Sequence, residues 1–173
     1  MTGPGVAARE DRVVCQIRRA ADDDWVIVRK LRLAALRDSP DWFWATYDEE
    51  VGRPDEWWRE RVDSGAWFIA YADGLPVGLA GAIAAPELDP SERQLVSMWV
   101  DPAARSKGVG TRLIEAVETW ARAQDVRALQ LQVTEGNTAA YRLYRRCGFA
   151  PTGRTEPGPR DPSLVEHEMR LLL

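Results

Sequence analysis

A strand that runs into a glycine-bearing loop, which opens at once into an amphipathic helix, constrains this chain more than any other feature. The segment is Val96-Ser97-Met98-Trp99-Val100-Asp101-Pro102-Ala103-Ala104-Arg105-Ser106-Lys107-Gly108-Val109-Gly110-Thr111. Leu113, Ile114, Val117, Trp120 and Ala121 share one helical face after it, so the spacing predicts a helix over Thr111 to Gln124. The first N–H groups of such a helix have no intrahelical acceptor, and the macrodipole adds about half a positive charge there. Glycines let backbone approach a ligand closely, and Arg105, Lys107 and Arg112 bring formal charge to the same loop. A phosphate or pyrophosphate suits this place; a plain connecting turn is the other reading. Two common phosphate loops do not match. GxxxxGK[ST] is absent. GxGxxG fits Gly108 and Gly110 but meets Leu113 at its third glycine, and Gln130 and Gln132 stand where an acidic ribose ligand would lie.

The remaining pattern places this segment late in a mixed fold. After a loose N-terminal segment over 1–12, Val13, Val14 and Ile17 predict a first strand. Asp22, Asp23 and Asp24 signal a helix start, and Ile27, Val28, Leu31, Ala34 and Ala35 follow as its apolar stripe until Pro40. Trp42, Phe43, Trp44 and Tyr47 form an aromatic stretch, and a second short helix is expected around Trp57, Trp58 and Val62. Asp73-Gly74 between Trp67–Tyr71 and Leu75–Ala85 is a strong hairpin signal. Gln94 to Val100 and Leu129 to Val133 read as strands, Asn137 to Cys147 as a helix closed by Gly148, and Leu164 to Leu172 as the last strand. Two helices, a run of strands and then βαβαβ predict an α/β (α+β) fold, one domain over 13–173, with helices on both faces of a mixed sheet.

Composition narrows the partners. At 173 residues, 45% hydrophobic and 29% charged, the chain fills one domain. Lys and Arg number 23 against 27 Asp and Glu, a net charge of −4 with no basic face, so no nucleic acid is expected as a partner. No apolar run reaches the roughly 20 residues of a membrane span, and Met1 to Glu10 carries no secretory signal, so no membrane is expected either. Cys15 and Cys147, far apart, exclude a disulfide framework and offer no metal-binding spacing. A cytoplasmic protein without a metal is the expectation.

A second segment sharpens the first. Asn137, Ala140, Leu143, Tyr144, Gly148 and Phe149 spell N-x-x-A-x-x-L-Y-x-x-x-G-F, and Arg105 to Gly110 spell [QR]-x-x-G-x-[GA]. With these motifs in this order and separation, residues 66–150 resemble the GNAT superfamily of N-acetyltransferases. The resemblance implies a GNAT-like fold, a central mixed, mostly antiparallel sheet of about seven strands flanked by about four helices. It implies acetyl-CoA as donor, CoA as product, no metal, and the amine of a small molecule or a protein as acceptor, attacked directly in a ternary complex. The alternative is a catalytically silent CoA-binding domain serving as a sensor or interaction module. Assembly as a homodimer is left open.

By the same resemblance, Met98, Trp99 and Val100 offer backbone groups to the pantetheine arm. Arg105, Ser106, Lys107, Gly108, Val109, Gly110 and Thr111 hold the pyrophosphate, Asn137 contacts the arm, and Tyr144 protonates the leaving thiolate. An N-cap asparagine and a core tyrosine are the plainer readings of the last two. Trp42, Phe43 and Trp44 fall where this family builds its acceptor pocket. Large aromatics in a polar stretch are expensive unless they cover something, so an apolar or aromatic-bodied acceptor is expected. Asp41, Asp48, Glu49 and Glu50 could attract a cationic amine. No residue stands out as the amine's base; Glu92, Glu135, Glu166 and His167 are candidates, and Cys147 is expected to be packing.

Overall fold

Asp73 and Gly74, at φ 50° and 77°, form the left-handed pair that a two-residue hairpin needs, joining β2 (Gly65–Ala72) to β3 (Leu75–Ile83). The computed structural model describes residues 15–173. Val13, Val14 and the segment 1–12 lie outside the described residues. Five further strands extend the hairpin: β1 (Cys15–Arg19), β4 (Glu92–Val100), β5 (Ala128–Thr134), β6 (Ala150–Pro157) and β7 (Val165–Leu172). The seven run in the order β1-β2-β3-β4-β5-β7-β6, and all neighbours pair antiparallel except β4 and β5. A parallel pair needs a crossover, and α4 (Val109–Ala123) supplies it. The expected mixed, mostly antiparallel sheet is the one that forms. No helix among the described residues is long and apolar enough to cross a membrane.

Helices cover both faces. On one, Leu113, Ile114, Val117 and Ala121 of α4 pack on Phe68, Ala80, Leu95, Leu129 and Leu131. On the other, α1 (Trp25–Asp38) and α3 (Asp55–Asp63) set Val28, Leu31, Ala35, Trp58 and Val62 on Trp67, Ile69, Leu79 and Trp99. Each such aliphatic side chain stabilises the fold by about 1.5–3 kcal/mol when fully buried. Four of the eight tryptophans, Trp25, Trp58, Trp67 and Trp99, are buried in this second layer. Opposite Trp67 stands Gly81, where a Cβ would sit 2.7 Å from the indole ring. The acidic cluster stands at the helix start as a single 3-10 turn over Asp22–Asp24, but Asp24 caps no amide of α1: its carboxylate accepts from Ala21 N at 2.7 Å and pairs with Arg18 at 2.6 Å.

Two elements differ from expectation. A fifth helix, α2 (Tyr47–Val51), follows the aromatic stretch and precedes α3; α5 (Thr138–Arg146) completes the set. Thr46 Oγ1 accepts from Glu49 N at 3.2 Å and the Glu49 carboxylate from Thr46 N at 2.6 Å, a reciprocal cap that starts a helix too short for a periodic stripe. The second is β6: the sequence places no strand between Gly148 and Leu164, where Pro157, Pro159 and Pro162 read as a loop. It lies at the sheet edge and is exposed throughout, a place where missing N–H donors cost nothing.

Candidate active site

β4 and β5 pair only from Glu92–Gln94 to Ala128–Gln130, then part. The cause lies in β4. Leu79 of β3 opposes Trp99 and Gly81 opposes Val96, so two steps of β3 face three of β4. Ser97, within the extra length, takes φ 54°, uncommon for a residue with a Cβ. Such a bulge bends its strand and re-aims backbone groups. A cavity of about 770 Å³ opens where the strands diverge, lined by Ser97–Val100, the start of α4, Asn137, Leu143 and Tyr144. The Trp99 indole turns away into the α1 side, donating to Asp38 Oδ2 at 2.9 Å, and Met98 packs toward α4.

The glycine turn forms one rim. Gly108 caps α4 at φ 79° with open space around it, a left-handed position that suits glycine. The first rung of the helix is Arg112 N to Gly108 O, 3.1 Å, so the amides of Val109, Gly110 and Thr111 stay outside the ladder at the cavity. Gly110 serves packing. A Cβ there would lie 3.0 Å from Leu143 Cδ2 and 3.3 Å from Met98 Cε. The charged residues of the turn are engaged elsewhere. Arg105 donates through Nε to Val100 O at 2.9 Å and pairs with Asp38, and Lys107 Nζ donates to Ala103 O at 3.0 Å. Burial pushes the Asp38 carboxyl up, but hydrogen bonds from Trp99, Ser39 and Arg105 outweigh it and hold it below its ordinary value. Lys107, whose carbonyl partner leaves its charge in place, and Arg146, which lines the cavity, add positive potential to that of the backbone amides, with Ser106, at φ 62°, exposed beside them.

Asn137 Oδ1 accepts from Ala140 N at 3.2 Å, so the N-cap reading holds, and the residue also lines the cavity. Tyr144 is buried, 7% exposed, with its ring edge-on to Phe149 at 5.9 Å. Its hydroxyl makes no hydrogen bond among the described residues. Burial, reinforced by neighbouring Cys147, holds the phenol above its ordinary value. The core reading and a position at the cavity are both true of it. Cys147 is half-buried, and burial pushes its thiol up, which fits packing better than nucleophilic chemistry.

The other end of the cavity lies over the face that α1 and α3 leave to β5 and β7. Trp42, Phe43 and Trp44 roof it, with Trp42 40% and Trp44 46% exposed and Phe43 half-buried under the Arg32 guanidinium at 5.0 Å. Arg160, between β6 and β7, donates to Pro40 O at 2.8 Å and Phe43 O at 3.1 Å and ties this stretch down. Glu50 is buried against Arg32, with Oε2 on Nε at 3.0 Å and Oε1 on Nη2 at 2.9 Å, so it is not a free charge for an amine. Asp41, Asp48 and Glu49 are exposed and outside the lining. Among the base candidates, Glu166 lines the cavity, buried, its Oε1 accepting from Thr134 Oγ1 at 2.7 Å. Glu92 is engaged by Arg170 and by Gln130 at 2.7 Å. Glu135 and His167 do not line it, and His167 stands opposite Val133 in the β5–β7 register.

Arg32, Arg61, Ser97 and Gln132 are among the lining residues that escape the sequence reading. A signal existed for the arginines. Each occupies an apolar stripe, Arg32 beside Val28, Leu31 and Ala35, Arg61 beside Trp57, Trp58 and Val62. Ser97 reads as strand interior, and nothing in the alternation of β5 marks Gln132.

The acetyltransferase (GNAT) family profile matches residues 29–149, a span that includes the bulge, the glycine turn and Tyr144. The chain belongs to the GNAT family. An L-methionine sulfoximine/L-methionine sulfone acetyltransferase of Pseudomonas paraeruginosa is 32% identical over 141 residues, 72% of this chain and 81% of that one. A GNAT acetyltransferase from Streptococcus pneumoniae superposes with a TM-score of 0.79 at 21% identity, covering 92% of this chain and 99% of that one. An acetyltransferase structure from Salmonella typhimurium, with its cofactor acetyl-CoA, gives 0.73 at 21% identity over 92% and 94%. At these identities the solved structures establish the GNAT fold.

Proposed function

We propose that the chain transfers the acetyl group of acetyl-CoA to a primary amine by direct attack in a ternary complex. One observation carries the reading: free amides at the start of α4, the end of the bulged β4 and the unpartnered Tyr144 hydroxyl meet at a single cavity. The donor supplies an acetyl thioester. The amides of Val109, Gly110 and Thr111, with the turn from Arg105 to Gly108, hold its pyrophosphate, and β4 from Met98 to Val100 with Asn137 receives its pantetheine arm. Arg105 is answered by Asp38 within the protein, so Lys107 and the backbone amides supply the positive potential.

In the transfer, the amine nitrogen bonds the acetyl carbon and the carbon–sulfur bond breaks. Backbone donors at the end of β4 polarise the carbonyl. Tyr144, protonated at neutral pH, gives its proton to the departing sulfur. Glu166 takes the proton that the attacking amine loses, directly or through water. Trp42, Phe43 and Trp44 cover the body of the acceptor.

The test is thiol release from acetyl-CoA across a broad panel of amines, with calorimetry for CoA. CoA binding together with amine-dependent release is expected. Binding without release for any amine would favour a catalytically silent domain, and the absence of binding would refute the donor.

A further inference from the structure

The floor of the acceptor end holds two cations and one anion. Arg32 and Arg61 share Ser97 Oγ, at 3.4 and 3.5 Å. Arg32 is answered by both oxygens of Glu50, on its Nε–Nη2 edge. Arg61 has no carboxylate partner among the described residues, and its Nε is buried without an acceptor. Trp57 and Trp67 stack on its guanidinium at 5.2 and 5.1 Å. A stacked guanidinium takes further partners only in its own plane, and Arg61 lines the cavity. Burial, with repulsion from Arg32 and only a partial offset from the Arg32-bound Glu50, lowers its pKa to about 10, which leaves it charged at neutral pH. A desolvated cation without a counter-charge is costly to hold, and a monoanion would balance this one.

The far side of the same space has the opposite character. Gln132 Oε1 is buried with no donor, and Glu166 faces the cavity from β7. Gln132 also lines a smaller adjoining recess of about 280 Å³ whose wall includes Glu87, Glu156 and Glu168. A cation on the α3 side and acceptors on the β5–β7 side describe a pocket for a molecule that is anionic at one end and an amine at the other.

We propose that Arg61 binds a carboxylate carried by the acceptor, so that the amine substrate is an amino acid or an amino-acid-like compound. The assignment rests on the acetyl-transfer reading of the cavity. A carboxylate, as a planar monoanion, fits the guanidinium fork and the single surplus charge; a phosphate dianion overshoots it.

The experiment compares L-phenylalanine, L-methionine and L-leucine, each with its own amide and its decarboxylated amine, in thiol release from acetyl-CoA. The amide's amine is the weaker base and more often neutral, so a preference for the acid reports the carboxylate itself. The acids should exceed their amides in kcat/KM on the order of 100-fold. Arg61→Met should bring that ratio to within a few-fold, chiefly through KM, and Arg61→Lys should keep part of it. Wild-type turnover of the amides as fast as the acids overturns the carboxylate assignment and leaves acetyl transfer standing; this arm needs no variant to fold. Quenching of tryptophan fluorescence by the acids, lost in Arg61→Met, reads binding without turnover. Quenching with no thiol release from any amine supports the carboxylate site while acetyl transfer fails. Absence of both quenching and acid preference overturns the proposal.

Discussion

Tyr144, a buried phenol whose hydroxyl makes no hydrogen bond among the described residues, is the residue on which the proposed chemistry turns. Tyr144→Phe removes an oxygen that makes no hydrogen bond among the described residues, so stability should change by less than about 0.5 kcal/mol, read by urea denaturation. If the hydroxyl protonates the departing sulfur, single-turnover rates should fall on the order of 10²–10⁴-fold while CoA affinity holds. Its raised pKa fixes the sign of a pH effect. The folded phenol ionises above the unfolded one, so its contribution to stability is intact below about pH 10 and is lost as pH rises beyond that. Denaturation midpoints from pH 9 to 11 should decline in the wild type and decline less in Tyr144→Phe. The core reading and the family motif looked like rivals at this position. Burial satisfies the first, and the position beside the cavity leaves the second to the rate measurement.

At the scale of the element, the glycine turn contains two glycines with different jobs. Gly108→Asp puts a carboxylate into open space at the start of α4, at a φ that aspartate tolerates, and should weaken CoA binding at least about tenfold by calorimetry, with Gly108→Asn as the uncharged control. Gly110→Ala drives a methyl toward Leu143 and should cost about 1–3 kcal/mol of stability. The turn is also tied to α1 through Asp38, which holds both Trp99 Nε1 and Arg105. Asp38→Ala leaves the indole donor without an acceptor and should destabilise by about 1–3 kcal/mol. Because Asp38 is held below its ordinary pKa in the fold, its contribution is complete above about pH 4 and is lost as pH falls further, which acid denaturation of the wild type and of Asp38→Ala will separate. The turn and its helix were legible from glycine spacing and an apolar stripe. α2 and β6 were not, since a five-residue helix shows no period and prolines hide an edge strand.

Across the whole molecule, the site exists because the sheet is covered unequally. α1 and α3 close one face over β2 to β4, and the rest of that face is roofed by Trp42, Phe43 and Trp44, held by Arg160 from the other end of the chain. Trp42 and Trp44 are too exposed to be core. Trp42→Ala or Trp44→Ala should therefore raise the acceptor KM several-fold, leave CoA affinity unchanged and shift Tm little; a large fall in Tm with unchanged KM would return them to the fold.

Periodicity, turn chemistry and two motifs were enough by themselves for the helix and strand order apart from α2 and β6, the hairpin, the mixed sheet, the family and the glycine turn, because each of these is written in residues close along the chain. The parting of β4 from β5 depends on the register of β4 against β3, and that is a property of pairing, not of local sequence. Likewise, Glu50 reads as a free acid until Arg32 meets it, and Arg61 meets Trp67 of β2 and Ser97 of β4, which no local pattern joins to it. Charge balance in a buried pocket is decided by which distant side chains fail to meet, and only the tertiary structure determines that.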